Sequence, residues 1–78
     1  MNWQEVESSN LHSIAYNPDD EVLGVRFKTK GGEPGPPYFY KDVPPSEYKE
    51  FVESDSKGVF FRSHIRDQFE FVKPGEEE

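Results

Sequence analysis

Arg26, Lys28, Phe39 and Lys41 have the types and spacing to grip a nucleic acid. Arg26 and Lys28 are two residues apart in an alternating run, as are Phe39 and Lys41, so each pair leaves a strand from one face. Cations beside an exposed ring hold phosphates while the ring stacks on an unpaired base. A second group is Lys57, Arg62, His64 and Arg66, in a stretch with no acid from Ser56 to Arg66. On a helix Arg62 and Arg66 are i, i+4 neighbours, and paired guanidinium forks suit a phosphate. Each group also has a plainer account. Arg26, Lys28 and Lys41 keep a solvent face soluble and discourage edge pairing. Arg66 bonds carbonyls near a helix end, or pairs with Asp55 or Asp67.

Catalytic chemistry finds less material. His12 and His64 are the only histidines, and there is no cysteine. No spacing motif for a metal joins the two histidines to a carboxylate. There is no nucleophile elbow, and Gly31-Gly32 lies in a proline-broken loop before a strand, the wrong order for a phosphate loop. A noncatalytic protein without metal or cofactor is expected.

The chain has 78 residues, enough for one domain with a modest core. Phe supplies seven of its aromatic residues, and bulky rings are how so short a chain fills a core. The net charge of −7 opposes tight nonspecific binding to nucleic acid. Acids gather at Asp19-Asp20-Glu21, at Glu70 and at Glu76-Glu77-Glu78, away from the basic groups. No apolar run is long enough for a membrane span. Met1-Asn2-Trp3-Gln4-Glu5 does not read as a signal peptide, and the absence of cysteine gives no sign of secretion, so a cytoplasmic setting is expected.

Residues 3–8 read as a short strand or extended arm carrying Trp3 and Val6, and residues 10–16 as a strand. Asn17-Pro18-Asp19-Asp20 is a turn. Residues 22–28 alternate, with Leu23, Val25 and Phe27 on one face and Gly24, Arg26 and Lys28 on the other. The segment Thr29 to Pro37 reads as a long loop, and 38–42 as a strand with Tyr38 and Tyr40 inward. Pro44-Pro45 opens a helix over about 45–54, with Tyr48, Phe51 and Val52 as its apolar stripe. Ser54-Asp55-Ser56 caps a second helix over about 57–67 whose core face is Phe61, Ile65 and Phe69. Gly58 there sits in the first turn or permits close packing. The expected core joins Leu23, Val25, Phe27, Tyr38 and Tyr40 to Tyr48, Phe51, Phe61 and Ile65, and leaves the other sheet face partly open.

Three segments stand in a telling order: Val6-x-Ser8-Ser9-Asn10-Leu11, then Tyr38-x-Tyr40 running into Val43-Pro44, then Ser56-x-Gly58-x-Phe60-Phe61 with Ile65-Arg66. Over roughly residues 3–69 the chain resembles the KTSC domain, a small module at the C-terminus of some lysyl-tRNA synthetases that also stands alone in bacteria and phages. The positions carrying the resemblance are Ser8, Ser9, Asn10, Tyr38, Tyr40, Val43, Pro44, Ser56, Gly58, Ile65 and Arg66. Ala15 stands before Tyr16, where that family often has Gly. RNA binding is the role suggested for the family, and aminoacylation is not implied for a standalone chain. Ser8-Ser9-Asn10 either bonds a ligand or braces a strand end.

The sequence therefore implies an α+β fold, a three- to four-stranded antiparallel meander with two short C-terminal helices on one face. One domain spans 1–72 and an acidic tail spans 73–78. The expected function is a binding module for RNA at a local basic and aromatic surface. The alternative is a protein-interaction module, bacterial or phage-encoded, that offers its acidic surface to a basic partner.

Overall fold

Alternating apolar residues build the sheet, and three of the prolines lie within one of its strands. The computed structural model describes residues 2–73. It contains β1 (Gln4–Glu5), β2 (Leu11–Asn17), β3 (Val22–Lys28), β4 (Pro34–Tyr40), α1 (Pro45–Glu53), α2 (Lys57–Phe60) and β5 (Phe71–Val72). The strands are antiparallel in the order β1-β2-β3-β4-β5. The fold is thus the expected α+β meander with one strand more. Both end strands are two residues long, too short to leave a periodic signal. The acidic tail expected over 73–78 lies outside the described residues, apart from an exposed Lys73.

β4 begins at Pro34, inside the stretch expected to be a loop. Pro34 pairs with Lys28 and Pro37 with Arg26 across a bulge. Proline lacks an N–H, so it belongs where one strand edge is unpaired; β5 covers only Phe39 and Tyr40. The backbone of Gly35 approaches Phe27 so closely that a Cβ would lie 2.8 Å from its carbonyl oxygen. The connection shrinks to Thr29–Glu33, closed by Thr29 N–H donating to the Glu33 carbonyl at 2.9 Å.

Pro44 precedes α1 with extended backbone, as a residue before proline prefers. Phe51 is fully buried, and Tyr48 stacks on Tyr16 with ring centroids 4.3 Å apart. Val52 is 39% exposed, so the stripe of α1 is narrower than expected. Ser56 caps α2, its hydroxyl accepting from the Val59 N–H at 3.3 Å. α2 runs into a π turn over Phe61–Ile65, closed by Arg66 N–H donating to the Phe61 carbonyl at 2.8 Å. Phe61 and Ile65 are buried by that turn.

The core lies between the sheet and the helices: Leu11, Ile14, Leu23, Val25, Tyr40, Val43, Phe51, Phe61 and Ile65, with Phe27, Tyr38 and Tyr48 packed against them. Phe61 is its hub, meeting Phe27 edge-on at 5.3 Å and Tyr40 at 5.4 Å. Such ring pairs add stability beyond the area they bury.

Candidate functional site

The loop before β2, three strands of the sheet and the first turn of α2 border a cleft beside the π turn. Ser8 holds that loop: its hydroxyl accepts the N–H groups of Asn10 and Leu11, both at 3.2 Å. This is the bracing role of the Ser8-Ser9-Asn10 segment, and it presents Asn10 to the cleft. Gly58 faces that loop across a narrow gap; a Cβ there would lie 3.5 Å from Ser8 Oγ and 4.0 Å from Asn10 Nδ2. The cleft has a volume of about 420 Å³, and Tyr40, Arg62 and Arg66 line it with Asn10 and Gly58. Leu11, Phe27 and Phe61 supply its apolar walls.

The electrostatics favour an anion. Arg62 and Arg66 bring two guanidinium groups to the lining, which has no carboxylate among the described residues. Asp67 lies just outside, 3.7 Å from Arg66 Nε. Both of those side chains are more than half exposed, so water weakens the pair. Tyr40 is the only phenol in the wall, and its pKa is pushed up to about 12, chiefly by burial, with Tyr38 adding and Arg66 opposing. At neutral pH it is an uncharged hydroxyl, able to donate as well as accept.

The remaining basic candidates are placed elsewhere. Arg26 lies on the opposite sheet face with its guanidinium 4.8 Å from the centroid of the Trp3 ring. Its Nε is the one buried side-chain polar atom without a hydrogen-bond partner among the described residues. Trp3 also covers Gly24, beside the buried Ala15 and Ser13. The face expected to stay open is therefore partly roofed, and Arg26 is engaged with a ring of its own chain. Phe39 pairs with Gly24 on β3 and is partly buried. Lys28 donates its ammonium to the Ser8 carbonyl, tying β3 to the loop that walls the cleft. Lys41 is exposed beyond the end of β4. Lys57 donates to the Ser54 carbonyl at 2.9 Å, closing the end of α1. Of the predicted contacts, the cleft gathers Arg62 and Arg66 and leaves the other five outside.

The histidines do not meet. His12 lines a concavity with Trp3 and Arg26, whereas His64 stacks on Phe60 at 4.5 Å and lines a groove with Ser56 and Val59. Tyr40 is both core and cleft wall, a dual role its alternation alone did not reveal. The contact between Trp3 and Arg26 was also missed; Gly24 in mid-strand, a usual mark of close approach, was its signal.

The other quoted motif positions serve the frame. Val43 is fully buried and accepts the Tyr16 hydroxyl at 2.6 Å. Pro44 opens α1, Ser56 caps α2 and Ile65 fills the core.

Among the described residues, no helix is long and apolar enough to cross a membrane. The chain is similar to a protein from Tsukamurella paurometabola, with 30% identity over 88% of this chain and 96% of that one. A protein from Stutzerimonas stutzeri is 33% identical over 81% of this chain and 82% of its own. The crystal structure of a KTSC domain protein from Yersinia pestis superposes with a TM-score of 0.82 at 35% identity, covering 95% of this chain and 97% of that one. The family pattern described as the KTSC domain matches residues 7–69. With the cleft formed by Asn10, Tyr40, Gly58 and Arg66 of its motif segments, the chain belongs to the KTSC domain family.

Proposed function

We propose that this protein is a noncatalytic binding module that takes single-stranded RNA at the cleft between the Ser8–Asn10 loop and the π turn. The observation that carries the reading is convergence: Asn10, Tyr40, Gly58, Arg62 and Arg66 come from distant parts of the chain and line one concavity. Two guanidinium forks at its lining supply phosphate contacts. The Asn10 amide and Tyr40 hydroxyl supply donors and acceptors for a base or ribose. The net charge of −7 opposes a long polyanion, so binding is modest and local. With at most two phosphate contacts, log affinity falls with log salt at a slope no steeper than about −1.4.

The test is a chemical-shift titration of labelled protein with a short mixed-sequence single-stranded RNA at low salt. Shifts gathered at Asn10, Gly58, Arg62 and Arg66 support the cleft. Shifts at Arg26, Phe39 and Lys41 instead move the site to the other sheet face. No shifts at millimolar RNA remove the nucleic-acid reading and turn the search to a basic protein partner for the acidic surface.

A further inference from the structure

The cationic charge of the cleft is a point, not a track. Arg62 and Arg66 stand together in its lining. Of the other cations, Lys28 is bonded to the Ser8 carbonyl and Lys57 to the Ser54 carbonyl, while Arg26 is stacked on Trp3 on the opposite sheet face. The rest of the molecule repels a polyanion through its net charge of −7.

We infer that the group anchored in the cleft is a phosphomonoester: a nucleotide carrying a free monophosphate, either a mononucleotide or the terminus of an RNA strand, and not an internal phosphodiester. This rests on the reading of the cleft as the nucleotide site. A phosphomonoester carries roughly −1.5 to −2 charges at pH 7 and presents three strong acceptor oxygens. An internal phosphodiester carries a single charge and two free oxygens. Two forked guanidinium groups match the first in both charge and acceptor number. A dianion also competes better with Asp67 for Arg66, because that exposed pair is weak. The enclosed space agrees. A volume of about 420 Å³ is near the lower end of the roughly 300–1,000 Å³ that encloses a small molecule, so it suits one nucleotide rather than a run of them. Its apolar walls, Leu11, Phe27 and Phe61, leave little to hold a second charge.

The experiment is a set of titrations followed by amide shifts: adenosine 5′-monophosphate, adenosine, the dinucleoside monophosphate ApA, and one RNA oligomer with and without its terminal phosphate. The monophosphate and the phosphorylated oligomer are expected to bind roughly tenfold more tightly than their counterparts, the effect of one strong charged contact. Their affinity falls on acidification through about pH 6, where the second phosphate proton returns. Arg62→Ala, at an exposed position, is expected to abolish the preference while keeping the native spectrum. A mononucleotide that matches the oligomer identifies a free nucleotide as the ligand; a stronger oligomer identifies an RNA end. Equal binding with and without the terminal phosphate overturns the inference and leaves the RNA reading standing. No binding of any probe at millimolar concentration overturns both.

Discussion

The Trp3 indole lies directly on Gly24: a Cβ at position 24 would sit 2.7 Å from Cη2 of the ring. A glycine in mid-strand ordinarily weakens a sheet. Here it makes the seat for the chain's only tryptophan, and the Arg26 guanidinium covers the ring at 4.8 Å from its centroid. The arm before β1 thereby roofs a face that the helices do not reach.

Gly24→Ala should displace the indole and cost about 1–3 kcal/mol, the usual penalty for overpacking. A lower melting temperature and red-shifted tryptophan emission would show it. In a Trp3→Ala background the same substitution should cost little, because the two residues act as one unit. Full additivity of the two losses would show that they do not.

Gly58→Ala separates structure from function at the cleft. The nearest groups to the added methyl lie at 3.5 and 4.0 Å, ordinary contact distances, and alanine is the better helix former. The variant should be stabilised by about 0.5 kcal/mol, while its methyl narrows the gap facing Ser8 and Asn10 and weakens ligand binding. Denaturant melts and an RNA titration read the two effects apart. A destabilised variant would mean that the glycine is needed for the turn itself.

Legibility in the sequence followed side-chain periodicity. Leu23, Val25 and Phe27 alternate over a whole strand, and Phe61 and Ile65 are spaced as one helix face, so the core was readable. β1 and β5 have two residues each, and no period can show in two residues. Pro34, Pro36 and Pro37 read as loop because proline usually marks one; only an unpaired edge, a tertiary fact, lets them lie in a strand. For the site, Arg62 and Arg66 were legible as neighbours on a helix. Arg26 was assigned correctly to its sheet face and wrongly to solvent, because its partner Trp3 is brought there by the pairing of β1 with β2. Tyr40 reads as core by alternation, and its exposure to the cleft depends on where the π turn stops.

Alkaline pH should unfold the protein earlier than ordinary tyrosines would allow. The Tyr40 phenol ionises near 10 when unfolded and at about 12 in the fold. The native state keeps the proton longer, so stability is intact below pH 10 and lost as pH rises towards 12. The loss is on the order of 2 kcal/mol. Burial raises Tyr16 and Tyr48 in the same direction, so their contributions add to the slope. Tyr40→Phe should flatten the decline between pH 10 and 12 in melts across that range. An unchanged slope would assign the effect to the other two rings.

Arg66 and Arg26 should behave as opposites, although both are arginines near aromatic rings. Arg66 lies at the cleft with its side chain 53% exposed, and its one ion pair among the described residues is with Asp67. Its removal leaves no buried partner behind, so Arg66→Ala should keep the melting temperature and weaken RNA binding roughly tenfold, about 1.4 kcal/mol, as loss of a charged hydrogen bond does. Arg26 holds the Trp3 ring and sends no group to the cleft. Arg26→Ala should cost about 1 kcal/mol of stability through the lost cation–π contact and leave RNA affinity where it was. Parallel thermal melts and titrations of the two variants decide between these roles. A destabilised Arg66→Ala with normal affinity would make Arg66 a structural residue of the π turn and remove the main phosphate contact of the proposed site.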